Sequence, residues 1–222
     1  MEDLRFDGPG RPLLLVGLTG GIATGKTVVD RMLAECGARV IDADAVVHEL
    51  LSADPETIRL VAESFGPGVR APDGTVDRKA LGRAVFVDPG ARLRLNAIVH
   101  PRVRSALASR IEAIRREGTA SVVVVDAALL AETGTWRDFD KVVVVVSSPE
   151  NQVRRLMSRD GLPAEEARAR IAAQWSTEKK LAVADYRIDN DGTLEETREH
   201  VRELYSRLLE DLERKRTIEG TR

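Results

Sequence analysis

Gly20-Gly21-Ile22-Ala23-Thr24-Gly25-Lys26-Thr27 has the spacing G-x-x-x-x-G-K-[ST] and directly follows the apolar run Leu13 to Leu18. A loop of this kind turns successive backbone N–H groups toward one point, which glycines permit, and the helix that follows adds the positive end of its dipole. The bare pattern also arises by chance in glycine-rich turns, so its setting decides what it means. Here a strand-like run precedes it and the helix-like Val28 to Glu35 follows, closing at Gly37. Strand, phosphate loop and helix together commit the chain to an α/β layout. They predict that Gly21, Ile22, Ala23, Thr24, Gly25, Lys26 and Thr27 wrap the phosphates of a nucleoside triphosphate. Lys26 would reach the β- and γ-phosphates, and the Thr27 hydroxyl would serve Mg²⁺.

Further β-branched runs alternate with helical patterns at Arg39 to Asp42, Ser121 to Asp126, Lys141 to Val146 and Tyr186 to Asp189. With the first run they make five strands, the signature of a parallel sheet covered by helices. The expected fold is a P-loop nucleoside triphosphate hydrolase core, three layers α/β/α around a five-stranded parallel sheet. About eighty residues separate the second strand from the third, far more than one crossover helix needs. That segment reads as helical. Pro55 opens one helix, Pro72-Asp73-Gly74 makes a turn, Asp77 caps a second helix, and Pro101 opens a third through Arg116. Residues 45–118 are therefore expected to form a helical acceptor-binding subdomain. Residues 148–184, which begin at the helix-favouring Ser148-Pro149, are expected to form a helical lid. Residues 11–44, 119–147 and 185–222 would make the core, with the amphipathic stretch Leu194 to Arg216 lying on the sheet.

Composition narrows the class without naming an activity. The 222 residues are enough for one domain with an insertion and a full core. Lys plus Arg number 34 against 36 for Asp plus Glu, so the net charge of −2 leaves no whole-chain footprint for nucleic acid or an anionic membrane. Cys36 is the single cysteine, which excludes an intramolecular disulfide and a thiolate-cluster metal site. Its expected role is packing. Met1 to Pro12 shows no basic-then-apolar signal pattern, and the apolar runs are far shorter than a membrane span. These features predict a soluble cytoplasmic protein.

Carboxylates and arginines suggest what happens to the γ-phosphoryl group. Asp42 and Asp44 stand at the carboxyl end of the second strand, two apart and so on one face if both are extended. One could accept a proton from an acceptor hydroxyl or bind Mg²⁺ through water. Asp44 could equally cap a helix starting at Ala45. Asp126 ends the run Val122 to Val125 as a Walker B acid would, or else caps the turn Ala127 to Glu132. In the lid, Arg154, Arg155, Arg159, Arg168 and Arg170 read as solvated helix face, except Arg159, which sits beside the break Asp160-Gly161. Arg102, Arg104, Arg110, Arg115 and Arg116 follow His100-Pro101 and could meet acceptor phosphates, with His100 as a helix-entry residue. Lys179 and Lys180 are expected at the surface.

The run Gly17 to Thr27, then Val40-Ile41-Asp42-Ala43-Asp44, His100-Pro101, Asp126 through Leu129-Leu130 and Glu132-Thr133, Arg159-Asp160, and Leu181 to Asp185 with Ile188-Asp189-Asn190 resembles the dephospho-coenzyme A kinase family. The motifs come in family order and cover nearly the whole chain. The resemblance implies transfer of the ATP γ-phosphate to the ribose 3′-hydroxyl of dephospho-coenzyme A, the last step of coenzyme A synthesis, with Mg²⁺. It implies Asp44 as the base, Lys26 and Thr27 as phosphate and Mg²⁺ ligands, and Arg159 as the lid arginine. Asn190 would lie near the adenine, and Thr19, Asp44, His100 and Asp126 would face the acceptor. Five positions, in three groups, depart from the family pattern. Ala23 replaces a usual glycine, which strains the loop if that residue needs positive φ. Thr24 and Thr27 replace serines and keep the hydroxyls. Ala128 and Ala131 replace a proline and a phenylalanine.

Two other classes share the phosphate loop. Another P-loop kinase, for a nucleoside monophosphate or a sugar, would keep Lys26 and Thr27 but differ in its acceptor pocket; the long helical insertion argues against a compact sugar kinase. A nucleotide-dependent switch would need a guanine-reading Asn/Thr-Lys-x-Asp motif, which the chain lacks, and access for water, which an arginine-bearing lid would deny.

Overall fold

The computed structural model describes residues 12–118 and 121–219. The N-terminal stretch up to residue 11 and the outermost residues assigned above to the core lie outside the described residues. The chain divides into two compact units, residues 1–41 with 112–222, and residues 42–111.

The first unit is built on five strands in the order β2-β3-β1-β4-β5. They are β1 (Leu14–Gly20), β2 (Arg39–Asp42), β3 (Val122–Asp126), β4 (Lys141–Val146) and β5 (Tyr186–Asp189). β1 runs parallel to both β3 and β4, and β4 to β5. Val122 to Val125 and Val142 to Val146 are all buried, with side chains on both faces of the sheet. Such continuous β-branched runs suit central parallel strands, where neither face meets water. Helices α1 (Lys26–Glu35) and α9 (Leu194–Glu219) cover one face. Val29, Met32 and Leu33 of α1 and Val201, Leu204, Leu208 and Leu212 of α9 recur at intervals of one, three and four residues and pack against Leu14, Val16, Leu18, Val124, Val143, Val145 and Ile188. A fully buried Leu or Val contributes roughly 1.5–3 kcal/mol relative to exposure, so this layer is the main reason the sheet holds. The observed strands match the five runs read from the sequence, and β1 extends through Thr19 and Gly20. The order also explains the site. The chain leaves β1 toward β2 and β3 on one side, then crosses to β4 and β5 on the other. The crevice at the carboxyl end of β1 is thus a topological switch point.

Helices α6 (Pro149–Asp160), α7 (Ala164–Ala172) and α8 (Thr177–Leu181) belong to this first unit. Ser148 caps α6 and Pro149 fills its first turn, as the sequence predicts.

The second unit comprises α2 (Ala43–Ala53), α3 (Pro55–Phe65), a turn closed by the bridge between Arg70 and Val76, α4 (Arg78–Val87) and the N-terminal part of α5 (Pro89–Glu117). It has its own core, with Leu51, Val61, Val69, Val76, Leu81 and Val99 at its centre. Asp54 and Asp77 cap α3 and α4 through their carboxylates. Three expectations need correction here. Residues 112–118, assigned above to the acceptor subdomain, cluster with the sheet. Pro101 does not open a helix: α5 starts at Pro89, and Pro101 lies inside it on an exposed turn, where one missing N–H leaves the helix continuous. Asp42 and Asp44 do not share a strand face, because the strand ends at Asp42 and Asp44 is already helical. The cap of α2 is Asp42, whose Oδ1 accepts the Ala45 N–H at 3.0 Å.

That assignment makes a stability prediction. At position 42, Ala should cost about 1 kcal/mol relative to Asn, which keeps a capping oxygen. At position 44, Asn and Ala should melt alike, since neither removes a cap. Thermal melts of the four variants check this, and the reverse pattern would return the cap to Asp44.

Candidate active site

The phosphate loop is a sharp turn fixed from behind. Gly21 O accepts both the Thr24 N–H at 3.2 Å and the Thr24 hydroxyl at 2.9 Å. Thr24 is buried, so its hydroxyl closes the loop and is not turned to solvent. Gly25 has φ +89, and a Cβ there would collide with Nδ2 of Asn190. Lys26 opens α1, with the Val28 N–H on Gly25 O at 2.9 Å. Ala23 stands at φ +60, the positive-φ non-glycine residue among those described. The alanine that departs from the family pattern therefore occupies the left-handed conformation that glycine tolerates freely.

Loop carbonyls need donors, and Asn190 and Arg155 supply them. Asn190, at the end of β5, donates Nδ2 to Thr24 O at 2.7 Å, and its Oδ1 accepts the hydroxyl of Thr197 from α9 at 2.8 Å. Arg155 of α6 donates to Ala23 O at 3.3 Å, Thr24 O at 3.1 Å and Asn190 O at 2.6 Å. Asp191 fixes the start of α6 by accepting from Ser147 Oγ, Ser148 N and Asn151 Nδ2. Burial works to raise the Asp191 pKa, but those hydrogen bonds outweigh it and hold the carboxyl well below the usual carboxylate range. In front of the loop, Ile22 N–H is taken by Gln174 Oε1 at 2.7 Å.

Lys26 Nζ forms an ion pair with Asp126 at the end of β3, both side chains largely buried. Asp126 thus faces the loop lysine and does not cap the turn after β3. Thr27 is exposed at the start of α1. A cleft of about 730 Å³ opens over these groups, lined by Gly20 to Thr27, Ala128, Arg154, Arg155, Ser158, Arg159 and Gln174. Its size is that of a small-molecule pocket. Arg159 lines it but is held by its neighbour: Nε and Nη2 bond the Asp160 carboxylate at 2.7 and 3.0 Å, which raises the Arg159 pKa. Its side chain remains 61 % exposed, so it is free to exchange partners. Thr19 is buried on β1, its hydroxyl on Ala128 O at 3.1 Å. Asp44 and His100 belong to the second unit and are exposed there. In the same unit Arg102 pairs with Asp54 and Glu56, and Arg110 with Glu49, so those guanidiniums already meet carboxylates.

Among the described residues no three His, Cys, Asp or Glu side chains gather as a metal site. The exposed Thr27 hydroxyl and the Asp126 carboxylate are oxygen donors of the kind Mg²⁺ takes, one or two beside waters and phosphate oxygens.

Two sequence readings are overturned at this site. Arg155 is not solvated helix face but the guanidinium that braces the loop; its position four residues before Arg159, on the same helix face, was the available signal. Lys180 is not at the surface. It is 1 % exposed and bonded to Glu132 Oε1 at 2.5 Å, a pairing that a lysine-rich stretch does not announce. Lys179 is exposed as expected.

A glycine loop at the switch point of a parallel sheet, with a lysine and a hydroxyl facing one cleft, defines a P-loop nucleotide-binding protein. The family model for dephospho-CoA kinase matches residues 14–196. A curated dephospho-CoA kinase of Symbiobacterium thermophilum is 51% identical over 187 residues, covering 84% of this chain and 78% of that protein. A Thermus thermophilus crystal structure superposes with a TM-score of 0.77 at 32% identity, covering 89% of this chain and 99% of the other. The structure titled dephospho-CoA kinase from Campylobacter jejuni gives 0.65 at 27% identity, covering 86% and 95%. The chain belongs to the dephospho-CoA kinase family, transferases that catalyse the final step of coenzyme A biosynthesis.

The strained alanine gives a prediction. A left-handed non-glycine residue costs about 1–2 kcal/mol, partly offset by the greater unfolded-state freedom of glycine. Ala23→Gly should therefore stabilise the protein by about 0.5–1 kcal/mol, visible as a rise of a few degrees in Tm. A fall in Tm would show that the loop does not hold Ala23 in that conformation.

Proposed function

We propose that this chain phosphorylates the ribose 3′-hydroxyl of dephospho-coenzyme A with the γ-phosphoryl group of ATP. The observation that carries the reading is the braced phosphate loop with Lys26 and Thr27 on a single cleft, in a chain of this family. Loop N–H groups and the N-terminus of α1 offer fixed donors to the triphosphate, and Asn190 beneath Gly25 keeps them in place. Lys26, resting on Asp126, can shift to the β- and γ-phosphates as negative charge gathers there. Mg²⁺, held by Thr27 and Asp126 through its water shell, would neutralise part of that charge. Arg159 would exchange Asp160 for phosphate oxygens, using the planar fork that a lysine lacks. Asp44, in the first turn of α2 beside the Asp42 cap, is the proposed base for the 3′-hydroxyl. His100 completes the acceptor side of this reading; Thr19, buried with its hydroxyl on Ala128 O, and Asn190, buried between Thr24 O and the Thr197 hydroxyl, are corrected from ligand contacts to supports of the strand and the loop. The reading includes a cytoplasmic setting, supported by the free thiol of Cys36. No described helix is long and apolar enough to cross a membrane.

Steady-state ADP release with dephospho-coenzyme A tests the roles. Lys26→Ala should fold and bind the acceptor yet lose transfer by about 10²-fold or more, because its charge acts mainly in the transition state. Wild-type rates in that variant would remove the phosphate-loop assignment. Thr27→Val should be severely impaired and Thr27→Ser nearly normal, since only the hydroxyl matters.

Asp44→Asn separates base from bystander. It should keep the Tm and the binding of both substrates while transfer falls by about 10²-fold or more. Near-normal transfer would exclude Asp44 from the mechanism.

A further inference from the structure

Ile22 N–H is a donor, so the atom of Gln174 that meets it at 2.7 Å must be the carbonyl oxygen. That fixes the side-chain amide: Oε1 is the atom engaged on the loop, and Nε2 is left to donate elsewhere. Nε2 makes no hydrogen bond among the described residues, although Gln174 lines the same cleft as Lys26 and Arg159. An amide of this kind is a pair of donors awaiting an acceptor.

The segment that carries Gln174 is pinned at its next residue. Trp175 N–H reaches Glu132 Oε1 at 3.4 Å, and the buried Lys180 ammonium meets the same oxygen at 2.5 Å. Glu132 Oε2 is buried without a hydrogen-bond partner, so Lys180 supplies the balancing charge. A buried ion pair is a weak source of stability, but it is directional. Here it ties the stretch between α7 and α8 to the loop after β3, and so sets where Gln174 stands.

We propose that Gln174 is a further substrate-contacting residue: Oε1 holds the phosphate loop through Ile22 while Nε2 donates to a phosphate oxygen of the bound triphosphate, with Glu132 and Lys180 as positioning residues. This rests on the reading that ATP phosphates occupy this cleft. One side chain then serves loop and ligand together, and its amide needs no reorientation when the nucleotide enters.

Two substitutions distinguish contact from mere anchoring. Gln174→Glu keeps, and strengthens by charge, the acceptor for Ile22 N–H but turns the donor into an oxygen. Gln174→Met keeps the length, is neutral, and removes both groups. Contact predicts that both variants lose kcat/KM for ATP by about tenfold to hundredfold, the range for a hydrogen bond to a charged group, with the KM for dephospho-coenzyme A unchanged. An anchor alone predicts wild-type kinetics for Gln174→Glu and impaired Gln174→Met. Simple charge repulsion predicts impaired Gln174→Glu and normal Gln174→Met. Either of those patterns overturns the proposal. Lys26→Ala run in parallel isolates the underlying reading, because its unimpaired transfer would discard the ATP assignment whatever Gln174 does.

Discussion

A loop that points its amides at a ligand must turn its carbonyls toward the protein, and every one of those carbonyls buried without a donor costs on the order of 1–3 kcal/mol. The Thr24 carbonyl is where this chain meets that constraint. Asn190 and Arg155 both donate to it, and neither is near it in sequence. Their convergence requires β5 to end beside β4, α6 to be capped at Ser148 under the Asp191 carboxylate, and α9 to present Thr197 to Asn190. The sheet order, the helix cap and the last helix thus all act on one carbonyl oxygen. Gly25 is part of the same arrangement, since any side chain there would occupy the space of the Asn190 amide.

This bracing lets the loop exist before the nucleotide arrives. A preformed donor set needs little reorganisation when charge builds up in transfer, which is where electrostatic catalysis gains most. The strain at Ala23 fits the same picture. A left-handed alanine persists only when surrounding bonds over-determine it, and Arg155 on Ala23 O is one of those bonds. The groups that face the cleft are, by contrast, less committed. Lys26 and Arg159 each rest on a single carboxylate, Asp126 and Asp160, and each can exchange it for phosphate oxygens.

Much of the fold could be read from local pattern because its causes are local. Runs of valine announce buried parallel strands, Ser148-Pro149 and Asp77 announce helix starts, and the phosphate loop announces itself through spacing. What escaped depends on partners distant in the chain. Lys180 looks like a solvated helix residue until Glu132, 48 positions away, comes beneath it. Arg154 and Arg155 are alike by type and both line the cleft, and the placement of α6 against the loop lets Arg155 alone reach the Ala23 and Thr24 carbonyls. Asp42 and Asp44 illustrate a finer limit. Both are good caps, and the choice rests on whether the strand ends two residues earlier or later, a boundary that residue preference does not resolve. Pro101 misleads for a related reason, since proline favours helix starts yet is tolerated where an exposed turn can spare one hydrogen bond.

The family and the loop leave the acceptor as the claim on which the functional reading turns. ADP release by the purified protein with ATP and, separately, dephospho-coenzyme A, AMP, CMP, a hexose or no acceptor measures it directly. Release that depends on dephospho-coenzyme A, with product carrying the new phosphate on the ribose 3′-oxygen, is the expected result. Equal release with AMP or a hexose, or undiminished release with no acceptor, would contradict it.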